Sequence, residues 1–144
     1  MTYEELSRIW AEDGQIDQND IISETTRVPK LHNKYYTMYV EESLRMRRLM
    51  AQKKMLEADK YEYFSGQMDI EDIRERGWKP LPRMILKSDV SRYVDSDSEV
   101  IEITLKVALK KELCDFLQSI INMITYRSQS LKLIHDVERF RSGA

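Results

Sequence analysis

Thr2 and Glu5 stand three residues apart, in capping-box spacing, ahead of Leu6, Ile9 and Trp10, which recur at helical intervals until Gly14 supplies a stop. A short amphipathic helix is predicted there. Beyond the turn-prone stretch Gln15 to Asn19, Ile21 and Ile22 mark a second short segment that runs to Pro29, and Pro29 suits the first turn of a further helix. Lys30 to Phe64 then runs for 35 residues without Gly or Pro and is rich in Leu, Met, Glu, Lys, Arg, Gln and Ala, the strong helix formers. One long helix ended by Gly66 is expected. From 67 to 98 the periodicity is lost, with Gly77, Pro80 and Pro82 as breaks and Asp95, Ser96, Asp97 and Ser98 crowded as a turn and cap cluster. This reads as a connector. Ser96 with Glu99 is a second capping-box pair, opening a stretch free of Gly and Pro to Arg141. Val100 to Leu105 also admits a strand, the weaker reading.

The second long helix carries more apolar surface than one seam needs. In Glu99 to Phe140, 21 of 42 residues are apolar. Leu109, Leu113, Phe116, Ile120 and Met123 follow the 4-3-4-3 spacing of a coiled-coil seam, and Leu117, Ile121 and Ile124 form a second stripe beside it. At roughly 25 cal/mol per Å² of apolar area, leaving the second stripe in water would forgo several kcal/mol, comparable to a domain's whole stability. Length points the same way: helices of 35 and 44 residues span about 52 and 66 Å. A compact globule of this size is only about 40 Å across. The expected fold is therefore all-α: an elongated long-helix hairpin with short N-terminal helices and a C-terminal coiled-coil-like oligomerisation helix. The alternative is an intrachain bundle in which the Lys30–Phe64 helix covers both stripes. In the first case Leu117→Asp or Ile121→Asp dissociates the oligomer.

Composition narrows the class without changing that picture. A chain of 144 residues, 42% hydrophobic and 33% charged, with 4 Gly and 3 Pro, is one domain, too apolar for disorder and too poor in turns for an all-β fold. Three parts are expected within it: 1–66 as a helical, nucleic-acid-binding part, 67–98 as the connector, and 99–144 as the oligomerisation part. The longest uncharged run, Phe116 to Tyr126, has 11 residues, whereas a membrane helix needs about 20. Met1 to Glu12 carry acids and a single Arg, so no signal peptide is expected. Cys114 is the only cysteine and cannot form an intramolecular disulfide, which suggests a reducing compartment. With His32 and His135 far from it and from each other, no metal site is expected. No P-loop, GxGxxG, GxSxG, HExxH or CxxC occurs. Neither catalytic residues nor a cofactor are expected, and the chain does not read as an enzyme.

Net charge is −2, yet it is segregated. Residues 1–26 carry −6, 27–60 carry +5, 61–102 carry −4 and 103–144 carry +3. Screening acts over about 8 Å at physiological salt, so distant acids do not cancel a basic surface. Lys30, Lys34, Arg45, Arg47, Arg48, Lys53, Lys54 and Lys60 lie on the predicted long helix, interleaved with Tyr35, Tyr36, Tyr39, Tyr61, Tyr63 and Phe64. Cations neutralise phosphates and flat rings stack unpaired bases, a combination suited to a single strand. On a helical wheel Lys34, Arg45, Arg48, Lys53 and Lys60 fall within about 140°, while Arg47 and Lys54 point the other way. Tyr35 and Tyr39 read as packing residues. Tyr63 and Phe64, beside Ser65 and Gly66, are the better candidates for an exposed edge.

A resemblance enters on these residues. The run Ile16 to Lys54, ending Ala51-Gln52-Lys53-Lys54, and the block Tyr63-Phe64-Ser65-Gly66 resemble the UvsY family of recombination mediators of T-even-type phages. So do Ile85 to Asp89, the Asp-rich cap, Cys114-Asp115-Phe116, and the ending from Tyr126-Arg127 through Ile134-His135-Asp136 to Gly143. The resemblance implies a hexameric or heptameric ring that binds single-stranded DNA and loads a RecA-like phage recombinase onto strands coated by the phage single-strand-binding protein, in the cytoplasm of the infected bacterial host. It also implies that the C-terminal region carries self-association and that a basic pair before the Tyr-aromatic-Ser-Gly block contacts DNA. The second of that pair falls on Lys60 and the first on Ala58, so the contact is spread over Lys53, Lys54 and Lys60. The candidate DNA-binding residues are Lys34, Arg45, Arg48, Lys53, Lys54, Lys60, Tyr63 and Phe64; the candidate oligomerisation residues are Leu109, Leu113, Phe116, Leu117, Ile120, Ile121, Met123 and Ile124. The competing reading is an oligomeric coiled-coil scaffold or adaptor with only protein ligands.

Overall fold

Thr2 caps the first helix as its spacing requires: its hydroxyl accepts from the Glu5 N–H at 3.2 Å, and the Glu5 carboxylate accepts from the Thr2 N–H at 3.0 Å. The computed structural model describes residues 1–143, and its elements are helical throughout, with no strand among the described residues. They are α1 (Tyr3–Asp13), α2 (Ile21–Phe64), α3 (Ile70–Glu75), α4 (Val90–Asp95), α5 (Ser98–Thr125) and α6 (Arg127–Arg141), with a 3₁₀ turn at Lys87–Asp89 before α4. The all-α expectation holds.

Three local expectations are corrected. First, the long helix begins at Ile21 rather than near Lys30, so Pro29 lies inside it. The Asp20 carboxylate accepts from the Ser23 N–H at 3.2 Å, which caps the earlier start, and Pro29, lacking an N–H, forgoes one bond of the helix ladder. Second, the cap of α5 is Asp97 rather than Ser96, while Val100 to Leu105 is helix, in agreement with the stronger of the two readings. The Asp97 carboxylate accepts from the N–H groups of Glu99 and Val100, whereas the Ser96 hydroxyl donates back to the Arg92 carbonyl. Third, the helix expected to run unbroken to Phe140 is interrupted at Tyr126. There the backbone relaxes to φ −85°, ψ −2° with no Gly or Pro present. The interruption coincides with the inward turn of Arg127, which is buried together with Leu131.

The chain forms two compact units. The first holds Met1–Leu44 and the chain from Lys110 onward; the second is Arg45–Leu109. These boundaries fall inside α2 and α5, so both long helices contribute to both units.

In the first unit, Leu6 of α1, Leu31 and Tyr35 of α2, and Leu113, Leu117, Ile120, Ile121 and Ile124 of α5 form one buried cluster. The Trp10 ring meets Tyr35 edge-on at 5.3 Å between centroids. The Tyr35 hydroxyl donates to Asp13 at 2.9 Å, and the Lys34 ammonium binds the same carboxylate oxygen at 2.6 Å. Burial works to raise the Asp13 pKa, but the hydrogen bonds from Lys34 and Tyr35 and the charges of Lys34 and Arg27 hold it below the usual carboxylate value. Burial and the same carboxylate push the Tyr35 phenol well above its ordinary range. Gly14 is required by close approach, since a Cβ there would lie 2.8 Å from the Trp10 carbonyl oxygen. Its own carbonyl accepts from the Arg127 guanidinium at 2.6 Å.

This cluster changes the reading of the two stripes. Leu113, Leu117, Ile120, Ile121 and Ile124 were expected to meet other copies, yet α1 and the N-terminal part of α2 cover them within the chain. Phe116 is half-buried against Tyr3, at 5.3 Å between ring centroids. Of the candidate oligomerisation residues only Leu109, 71% exposed, and Met123, 47% exposed, remain largely open to solvent. The short N-terminal helix supplies what the sequence alone did not pair with these stripes, so the excess apolar surface lies elsewhere. Ile101, Leu105 and Leu109 are exposed at four-residue intervals along α5 in the second unit, and Leu133, Val137 and Phe140 are exposed on α6 in the first.

Candidate nucleic-acid interface

Arg45 to Lys54 places five cations and no carboxylate on ten residues of α2. Arg47, Arg48 and Lys54 are exposed and form no ion pair among the described residues. Lys53 is half-buried and lies 3.7 Å from Glu57 one turn on, a pair worth only a few tenths of a kcal/mol, on the order of 0.5 at most. Arg45 is exposed and already engaged by a neighbour. Arg47, Arg48 and Lys54 therefore face solvent with little to neutralise them. Lys34 belongs to the first unit, and its partner there is Asp13.

Lys60 is different. It is only 4% exposed, with its ammonium 3.1 Å from Asp97, 3.7 Å from Glu99 and 3.8 Å from the centroid of the Trp78 ring. Trp78 in turn donates its indole N–H to Glu99 at 2.8 Å, and the Arg76 guanidinium, ion-paired with Asp59, lies 4.8 Å from the same ring. A buried cation of this kind is stabilised by two carboxylates and an aromatic face, and it ties the end of α2 to the start of α5 and to the turn after α3. Its ammonium does not point into solvent.

The exposed-edge expectation for Tyr63 is likewise corrected. Tyr63 is buried, its hydroxyl donates to the Lys79 carbonyl, and its ring contacts Phe64 at 4.9 Å and Trp78 at 5.2 Å. Burial, with the nearby Asp97 charge, pushes its phenol above the ordinary range. Trp78 and Lys79 enclose it from a connector that read as featureless in sequence. Phe64 is half-buried, packed against Tyr93 at 5.7 Å and against the small core of Val90, Val94 and Val100. Beyond it, Arg83 and Lys87 are exposed and unpaired among the described residues. Sequence reasoning passed over both; the signal available was a cation at each end of the short apolar run Met84-Ile85-Leu86, after Pro80 and Pro82.

In the first unit, His32 and Tyr36 stack at 5.9 Å with their planes 10° apart, and both are exposed. Cys114 is buried, and burial raises its thiol above the usual value, so it is an inert small apolar group. Among the described residues no cluster of His, Cys, Asp and Glu has the arrangement of a metal site, and no helix is long and apolar enough to cross a membrane.

Known proteins share the sequence pattern and the fold of this chain. Recombination protein uvsY of Enterobacteria phage T4 is 23% identical over 143 residues, covering 99% of both chains. Crystal structures of the bacteriophage T4 recombination mediator protein UvsY share the fold at 22% identity. The lattice type II form gives a TM-score of 0.84, covering 99% of this chain and 98% of that one. The lattice type IV form gives 0.82, covering 98% and 99%. The family model described as recombination, repair and ssDNA-binding protein UvsY matches residues 9–144, and with nearly the whole chain inside that match, this protein belongs to the UvsY family.

Proposed function

We propose that this protein is a recombination mediator, not an enzyme, that binds single-stranded DNA as a ring-shaped homo-oligomer and promotes loading of a RecA-like recombinase onto strands coated by single-strand-binding protein, in the cytoplasm of the infected bacterial host. The observation that carries the DNA-binding part is the carboxylate-free stretch Arg45–Lys54 of α2, with Arg47, Arg48 and Lys54 exposed and unpaired among the described residues. Arg45, Arg48, Lys53 and Lys54 remain proposed DNA contacts, joined by Arg47. Lys34 contributes at the margin, through an ammonium already shared with Asp13. Lys60 and Tyr63 support the interface from within the fold.

A surface with this few cations is a weak site alone. Several copies arranged around one flexible polymer convert later contacts into intramolecular ones, raising overall affinity by about 10²–10⁴ without a new kind of contact. The surface proposed for self-association is the exposed apolar set Ile101, Leu105 and Leu109 of α5 and Leu133, Val137 and Phe140 of α6, a reading supported by the burial of the inner stripe within the chain. Scattered exposed leucines are ordinary, whereas apolar residues repeated along one helix mark a surface that meets a partner.

Titration of labelled oligo-dT against salt tests the DNA-binding part. Each neutralised phosphate on a single strand contributes about 0.7 to the slope of log K against log salt, so a slope of at least about 2 is expected from the free cations of α2. A salt-independent or absent response would favour a scaffold that binds only proteins.

A further inference from the structure

At the C-terminal end of α2, within the second unit, a cleft of about 470 Å³ is bounded by Phe64, Ser65 and Gly66 on one side and by the segment Leu81–Lys87 on the other. We propose that this cleft is a nucleotide subsite for single-stranded DNA, taking one unpaired base against its apolar wall while Arg83 and Lys87 hold the flanking phosphates. The inference rests on the single-strand-binding reading above and adds a location that the cation pattern of α2 does not contain.

The wall has the required chemistry. Phe64 is backed by Tyr63 and Tyr93, so its ring is held in place rather than free to rotate away from a ligand. Ile85, packed on the Val90–Val94–Val100 core, and Leu81 supply the apolar remainder. Gly66 has φ +80°, which ends the helix, and a side chain there would meet nothing within 4 Å, so the mouth of the cleft is open on that side. Met84, 95% exposed, stands at the rim, where a flexible thioether can close over a flat ring. No carboxylate lines the cleft, while both Arg83 and Lys87 do, and neither is ion-paired among the described residues.

Charge and shape together select the occupant. A purely apolar peptide would leave two unpaired cations at the rim without partners, whereas a nucleotide presents an apolar face and anionic oxygens on either side of it. A duplex hides the base face, so the site accepts single strands only. Sequence preference is not expected, because stacking is available to every base.

The test uses the full chain with oligo-dT and an abasic oligonucleotide of the same length. In R83Q/K87Q the salt slope for oligo-dT is expected to fall by at least about 1.4, two phosphates' worth, with affinity reduced about tenfold at moderate salt. Met84→Ala, an uncharged change at a position 95% exposed, is expected to lower affinity for oligo-dT while leaving the weaker binding of the abasic strand within about twofold. K111Q/K132Q removes the same charge elsewhere and is expected to leave the oligo-dT slope unchanged. If wild type binds with a clear salt slope and R83Q/K87Q behaves as wild type does, the subsite is wrong and the broader reading stands. If wild type does not bind oligo-dT at all, both fail.

Discussion

Replacing Leu105 and Leu109 by Asp in one chain is expected to turn the assembly into single copies and to lower affinity for oligo-dT by about a hundredfold, the low end of what linked sites provide. Both side chains are mostly in water, 60% and 71% exposed, so each substitution removes little contact within the subunit. Surface changes of this sort usually move stability by no more than about 0.5 kcal/mol, with a similar small penalty for Asp in a helix interior. Helix content and melting temperature should stay close to those of the wild type. None of the proposed DNA contacts lies on α5, so a loss of affinity well beyond the small electrostatic effect of two added carboxylates arises through lost assembly. Sedimentation velocity beside the oligo-dT titration reads both quantities. A double variant that becomes monomeric and keeps full affinity would remove the multivalency part of the account.

Leu117→Asp should have the opposite character: unfolding of the first unit, with loss of assembly only as a consequence. Leu117 is fully buried among Leu6, Leu31, Tyr35 and its neighbours on α5. Removing such a side chain costs about 3–5 kcal/mol, and placing a carboxylate there adds an unpaired buried charge. Domains of this kind hold only about 5–15 kcal/mol in total. A chain that fails to fold, or a melting temperature lowered by roughly 10 °C or more, is expected. The milder Leu117→Ala should fold with reduced stability and retain assembly, because the outer faces of α5 and α6 are intact. Thermal unfolding followed by circular dichroism distinguishes these cases; a stable but monomeric Leu117→Asp would return the inner stripe to the role of an intersubunit seam.

That contrast shows where the sequence was legible. Capping at Thr2 and Glu5 was readable because both partners lie within one turn, and the long α2 because nothing between Lys30 and Phe64 opposes a helix. The two apolar stripes of α5 were also readable as patterns. Their cover was readable only in part: the Lys30–Phe64 helix, weighed as the alternative partner, supplies Leu31 and Tyr35, but Leu6 lies more than a hundred positions away, and periodicity records that a face is apolar without naming its partner. The same limit explains Lys60. Its spacing places it with the other α2 cations, yet its burial depends on Trp78, Asp97 and Glu99, brought in by a connector whose turns have no periodic signature. The interruption at Tyr126 carries no Gly or Pro, and it coincides with Arg127, which reaches the Gly14 carbonyl and Glu24 across the first unit. Local chemistry was visible; long-range pairing was not.

The mass of the species that carries a single oligo-dT strand, measured by native mass spectrometry on the wild-type chain, tests most directly whether gripping a strand depends on several copies. The account predicts one strand held by a fixed multiple of the 17.2 kDa chain, with no significant population of one chain on one strand. A complex of one chain with one strand, formed at the same protein concentration and with the affinity of the bulk sample, would contradict it.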